Sequence, residues 1–359
     1  MADYPVAAKT GELGATREAG DALYVRAYLL LLALLSLAAF VFGIENRLTA
    51  TGLYFFPPPV DWVPPLAEAD WAEAFARHQQ DPVFAACGGS GSIEEFRALY
   101  WWEWLRRLSM TALAATALAG LACAALTARF RFVLPRLTIL LGLFVCYVAA
   151  RTGIMRLTQS DLLASFNAGQ YKHAVEVAFA SMAVAAAFAS AALPFRASRI
   201  SIRRSEWLWI GAILLDICFG ALFAARNASA FWPTLLGFEG RLSPSLDQLT
   251  SYSPLWLNFT FNQYTIQLVH RALSAGLAIA AFMALLVSLR RSRGMSVALV
   301  RFLLIGAQIV TGLATLYFGV PIALSIVHQV GAIFLLAASF VVLLGRTAEA
   351  KPSMIALAR

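Results

Sequence analysis

Eight stretches of about 20 predominantly apolar residues recur along the chain, at about 25–43, 102–127, 131–151, 171–194, 207–225, 263–289, 298–318 and 321–345. A run of that length crosses roughly 30 Å of hydrocarbon as a helix, and a chain carrying eight of them has few other folds open to it. Backbone groups in lipid must be satisfied internally, and no period-two barrel pattern is present, so each run is read as a transmembrane helix. Composition agrees. Of 359 residues 60% are hydrophobic and 13% charged, with a mean hydropathy of +0.71, too apolar for water-soluble domains.

The charged residues between the runs set topology. The segments up to Arg26, 128–136, 195–206, 290–301 and beyond 345 hold 17 of the 28 Lys and Arg. Loops 44–100, 151–172 and 226–262 hold eight. By the positive-inside rule both termini face the cytoplasm. The net charge of +8 therefore reads as orientation and not as a nucleic-acid surface. The four cysteines form neither a disulfide framework nor a CxxC metal signature. The polar start is followed by a span too long for a signal h-region, so it reads as an uncleaved cytoplasmic tail.

Loops 44–100 and 226–262 each join the first and second helix of a four-helix set, which predicts an all-α integral membrane protein of two pseudo-repeated four-helix bundles. A local match supports duplication: Glu103-Trp104-Leu105-Arg106-Arg107 opens span two as Gln267-Leu268-Val269-His270-Arg271 opens span six. The expected organisation is a cytoplasmic tail at 1–24, an amino-terminal half at 25–194, a basic linker at 195–206, a carboxy-terminal half at 207–345 and a second tail at 346–359.

An ionisable side chain within a span is costly unless paired, hydrated or bound to a ligand. His270 and His328 stand out, because each lies about seven residues past the outer start of its helix. At about 1.5 Å per residue both sit roughly 10 Å below the outer surface. Two imidazoles at matched depth could grip one iron porphyrin from opposite faces; the alternative is a pair of hydrogen-bonded core histidines. Small residues beside them (Ala272, Ser274, Ala275, Gly276, Gly331 and Ala332) leave room for a planar ligand or simply promote helix packing. Arg271 is suited to a propionate carboxylate or to snorkelling at the interface.

At the equivalent depth of the amino-terminal half stand Arg106 and Glu176, whose opposite charges suggest a buried ion pair. Glu103 is a candidate acid or base, or the centre of a charge cluster with Arg106 and Arg107. His173 lies one turn before Glu176, as a ligand or as an interfacial hydrogen-bonding residue. Asp216, mid-span in the fifth run, has no partner in sequence and takes no role. His78 falls in a polar outer loop and is expected to be solvated, while Tyr100, Trp101, Trp102 and Trp104 fit an interfacial aromatic belt.

These residues together resemble the heme A synthase family over most of the chain. The first outer loop carries Asn46-Arg47-Leu48-Thr49-Ala50-Thr51-Gly52-Leu53, similar to the family's TRLTxSGL, and later Pro64-Pro65-Leu66. Trp101-Trp102-Glu103-Trp104 is similar to WWEWxHR. Asn262 with Gln267-Leu268-Val269-His270-Arg271 resembles NxxxVQFxHR, and Gln308, Thr311-Gly312, Thr315-Leu316, Val320-Pro321 and His328-Gln329 resemble QxxxGxxTLxxxVPxxxxxxHQ.

The resemblance implies an eight-helix fold, a resident haem b held by His270 and His328, and a substrate site in the amino-terminal half. There a methyl group of heme O is oxidised to the formyl of heme A for cytochrome oxidase. It also points to heme O synthase or cytochrome oxidase assembly factors as partners. Ala-rich spans and Arg preferred over Lys fit a bacterial inner (plasma) membrane, with a mitochondrial inner membrane as the alternative. In the family's substrate half a Glu precedes a His by one turn on span two, and a second His lies on span four. Glu103 matches the Glu, but the first His position is Arg106, and alignment on Tyr171 puts Glu176 at the second. A three-residue shift would restore His173; nothing comparable restores Arg106.

Three functions stay open on these residues: a heme A synthase using Glu103 near the substrate methyl, a non-catalytic haem b protein in electron transfer or oxidase assembly, and a ligand-free transporter.

Overall fold

The computed structural model describes residues 23–43, 61–80, 92–127, 133–159, 169–192, 204–232, 234, 243–291 and 294–345. Among them every regular element is a helix. The long ones are α1 (Leu23–Gly43), α2 (Ile93–Leu126), α3 (Leu134–Gln159), α4 (Gly169–Ala192), α5 (Arg204–Ala225), α6 (Gln263–Arg291), α7 (Met295–Tyr317) and α8 (Ile322–Gly345). Seven of them are long and apolar enough to cross a membrane. α3 covers the third expected span from Leu134 onward, and its stretch Leu134–Ala150 is apolar, about 25 Å at 1.5 Å per residue. The two tails, the TRLT-like segment 46–53 and most of the basic linker lie outside the described residues.

The second span begins earlier than its hydropathy indicates, at Ile93 instead of 102. Ser92 Oγ accepts the Glu95 N–H at 3.2 Å while the Glu95 carboxylate accepts the Ser92 N–H at 3.1 Å. This reciprocal cap starts a helix in polar sequence. The 34 residues of α2 extend about 51 Å, well beyond a hydrocarbon core of roughly 30 Å. Its projecting end is the platform for a loop helix, Glu68–Gln79, whose buried face is Trp71, Ala74 and His78. Trp71 packs edge-on against Phe96 and Tyr100, with ring centroids 6.3 and 5.2 Å away. Two expectations change here. His78 is buried against Phe96 instead of solvated, and Tyr100 is fully buried under the loop helix instead of facing the interface.

In the carboxy-terminal half α5 packs on α6, α6 on α7, α7 on α8 and α8 back on α5, a closed four-helix ring. The α7–α8 reversal is tight. Gly319 and Val320 both take positive φ (75° and 62°), and the Val320 N–H is held by the Thr315 carbonyl at 2.8 Å. A β-branched residue in that region is strained, and Pro321 then opens α8. At the opposite end a buried ion pair ties α5 to α7, with Arg301 Nη2 2.7 Å from Glu206 Oε2 and the guanidinium 4.5 Å from the Trp209 ring centroid.

The amino-terminal helices are arranged less evenly. α4 packs along α3 and also against α5 and α8, so it is the seam between the halves. α1 packs through Val25, Leu29 and Leu32 against Val133 and Leu137, and Tyr28 of α1 donates to the Thr116 carbonyl of α2. α2 touches α3 only lightly, whereas its carboxy-terminal counterpart α6 packs along α7.

Candidate functional site

One cavity of about 1920 Å³ reaches into both halves, roughly twice the upper end of ordinary ligand pockets. His270 and His328 both line it, and so do Glu103, Arg106, His173 and Glu176. On the amino-terminal side it is bordered by Leu118 and Leu121 of α2 and Leu141 and Phe144 of α3, which are also exposed on the lateral surface.

The depth of His270 is set by the start of α6. Asn262 Oδ1 accepts the N–H groups of Tyr264 and Thr265 at 3.0 and 3.3 Å, an N-cap. Its Nδ2 donates to the Gln248 carbonyl at 2.7 Å, so cap and loop are one unit. Eight residues on, the His270 ring lies over Gly220 of α5: a Cβ there would stand 3.2 Å from His270 Cε1. The arrangement recurs at His328, which lies over Gly312 of α7 with the equivalent distance at 2.9 Å. Each ring thus occupies space that a glycine on the preceding helix leaves open.

Each Nδ1 is turned to a partner. His328 Nδ1 is 3.2 Å from Thr311 Oγ1, whose own hydrogen donates to the Ala307 carbonyl at 2.9 Å. The hydroxyl oxygen is therefore the acceptor and Nδ1 carries the proton. His270 Nδ1 stands 2.7 Å from Asp216 Oδ1, out of line for a good hydrogen bond, and neither atom has another partner. Asp216 Oδ2 accepts from the Ser274 hydroxyl at 2.9 Å. With the Nδ1 proton directed at Thr311 or Asp216, the lone pair would be left on Nε2, the tautomer that an imidazole needs to bind an iron. Donor type, tautomer and a partner behind each ring all fit a haem iron.

Several of these residues escape a reading of the sequence. Asp216 appears there only as a lone acid; its partner lies on the next helix. Gly220 is one turn after Asp216 on the same face, and Gly312 follows Thr311 in a motif already noted, yet neither signals a ring contact. The small residues singled out beside the histidines behave differently. Gly331 accommodates the Gln308 side chain, Gly276 faces open space, and Ala275 and Ala332 line the cavity.

Arg271 Nη2 donates to the carbonyls of Thr234 (2.8 Å) and Trp232 (3.3 Å), and its guanidinium lies 4.1 Å from the Trp232 ring centroid. Gln267 Nε2 donates to the same Trp232 carbonyl at 2.7 Å. Arg271 thus fastens the loop after α5 to the bundle while still bordering the cavity.

In the amino-terminal half the charge cluster forms within one helix. Glu103 is fully buried. Its carboxylate accepts from Arg106 Nε (2.8 Å) and Nη2 (2.6 Å) and from Arg107 Nε (2.6 Å). The charge cluster foreseen for Glu103, Arg106 and Arg107 forms between partners one turn apart, which costs little side-chain ordering. Glu176 borders the same cavity as Arg106, whose cation its charge favours, and stands 3.5 Å from the Tyr147 hydroxyl. His173 borders the cavity with Glu176, whereas Arg107 is outside the lining and about half exposed. Tyr171 shares a 2.7 Å hydrogen bond with Thr260, tying the start of α4 to the segment just before α6.

A family model described as a cytochrome oxidase assembly protein, COX15-CtaA, matches residues 26–340. Similar proteins include the heme A synthase of Azorhizobium caulinodans, 31% identical over 324 residues that cover 88% of this chain and 92% of the relative. The heme A synthases of Chelativorans sp. (30% over 326 residues, 88% of each chain) and Bartonella bacilliformis (29% over 329 residues, 87% and 89%) are similar to the same extent.

Proposed function

The chain belongs to the COX15-CtaA, or heme A synthase, family of cytochrome oxidase assembly proteins, and on that footing we propose that its carboxy-terminal half holds one haem b between His270 and His328 while its amino-terminal half does not oxidise heme O. The observation that carries the first part is the pair of imidazoles on one cavity, each with Nδ1 facing a side-chain oxygen and each seated over a glycine. A haem in that position supplies one-electron transfer. The residues of the chain orient the two rings, keep Nε2 unprotonated and close the outer side through Arg271, Gln267 and Trp232.

The second part rests on Glu103. A carboxylate whose oxygens accept three hydrogen bonds from two guanidinium groups has its acceptor positions taken up and is poorly placed to exchange a proton with a substrate. One of those guanidinium groups, Arg106, occupies the position where the family has an iron-ligating His. The role that follows is that of a haem b protein in oxidase biogenesis, as an electron carrier or an assembly factor. The full arrangement is eight helices in two four-helix halves, in a bacterial plasma membrane with both termini in the cytoplasm. Support comes from the basic inner segments and from the bacterial relatives.

A second reading, heme A synthesis itself, is favoured by one observation: the cavity continues past Glu103, Arg106, His173 and Glu176, leaving space for a substrate haem. Co-expression with a heme O synthase, followed by extraction of the bound haems, separates the two. Haem b without heme A supports the proposal; heme A overturns it.

The glycine seats give an independent prediction. In Gly312→Val the new Cβ meets His328 Cε1 at 2.9 Å, closer than side chains tolerate, and the ring must leave its place. The purified variant is expected to keep only a minor fraction of the wild-type haem absorbance. Gly220→Ala, whose Cβ would stand 3.2 Å from His270 Cε1, is expected to lose less.

A further inference from the structure

We propose that Asp216 is a positioning residue that sets the electron-donating strength of the His270 imidazole, and so lowers the reduction potential of the haem. The proposal rests on the haem b reading above and deepens it. The two histidines are seated alike but are not backed alike. Behind His328 stands a neutral hydroxyl, Thr311, which itself donates to a backbone carbonyl. Behind His270 stands a carboxylate, with Oδ1 2.7 Å from Nδ1. Asp216 and His270 are about four-fifths buried (side-chain exposure 18% and 20%), so the interaction is weakly screened.

A carboxylate accepting the Nδ1 proton gives the ring partial imidazolate character, which favours the oxidised iron. The present contact is off the N–H axis, and since neither atom has another partner, a small rotation of the ring on ligation aligns it. Ser274 acts in the opposite sense. Lying one turn after His270 on α6, it donates to Asp216 Oδ2 at 2.9 Å and withdraws part of the acceptor strength that Oδ1 offers the imidazole. Asp216, Ser274 and His270 therefore form a graded device, in which the hydroxyl moderates the carboxylate and the carboxylate strengthens the ligand.

The test is the midpoint potential of the purified, haem-loaded chain, read by spectroelectrochemistry. Asp216→Asn removes the charge and keeps the shape; it is expected to retain a six-coordinate b-type spectrum with the potential displaced to more positive values. Asp216→Glu restores a carboxylate and is expected to return part of the shift. Ser274→Ala leaves the carboxylate unmoderated and is expected to move the potential the other way, to more negative values. A purely structural role for Asp216 produces no such opposition of sign. Wild-type potentials in both Asp216→Asn and Ser274→Ala, or shifts of the same sign, overturn the proposal. If Asp216→Asn loses its haem, the sign in Ser274→Ala decides alone. Absence of a b-type spectrum from the wild-type chain refutes the haem reading instead, so the two failures are distinct.

Discussion

Replacing His328 by Ala is expected to abolish the reduced-minus-oxidised b-type signal of the purified protein, and His270→Ala to do the same. His270 and His328 would hold the haem, and the residues that back the rings, Thr311 and Asp216, face Nδ1 and so would not replace a lost Nε2 donor. Removing one ring leaves an open coordination position and a void against Gly312 or Gly220, so both iron affinity and packing are lost. Absorbance after purification is the readout. Growth with excess imidazole provides a control, because the free ligand can enter the void and restore part of the signal only if the lost group was an axial donor.

The second large effect is a gain. With both Arg106→His and Glu176→His, the chain is expected to carry close to twice the haem of the wild type. The single Arg106→His change removes two of the three hydrogen bonds that hold Glu103 and leaves the third, from Arg107 Nε at 2.6 Å. Arg107 is the residue that matches the Arg of the family's WWEWxHR motif, so the carboxylate keeps its structural partner while an imidazole replaces the cation beside the cavity. Glu176→His supplies the second donor from α4, whose outer end is already fixed by the Tyr171–Thr260 bond. The space is present, since both positions border the same cavity. Haem-to-protein ratio by pyridine haemochrome measures the result. An unchanged ratio would mean that the amino-terminal half lacks a haem site for reasons other than its two altered ligand positions.

Much of this fold is legible in the sequence, because hydrophobic length alone identifies a membrane helix. That signal is weakest where a helix leaves the bilayer. The outer extension of α2 is polar, and its start is encoded in a local device, Ser92 with Glu95, that hydropathy ignores. The two imidazoles are legible from their depth, since a histidine in a span needs a reason to be there. Their surroundings are not, because they depend on which faces of neighbouring helices meet. Asp216 reaches His270 across a helix interface, and Gly220 and Gly312 matter only because rings from the following helices lie over them. Arg106 is the simpler case: Glu103, one turn away on the same helix, is a partner that spacing alone reveals.

Electron paramagnetic resonance of the purified ferric protein bears most directly on the central claim, that one iron is held by two imidazoles in the carboxy-terminal half. The account predicts a single low-spin ferric species characteristic of two imidazole ligands, at one haem per chain, and its disappearance in His328→Ala. A high-spin signal, no haem, or a low-spin signal that survives the loss of His328 would contradict it.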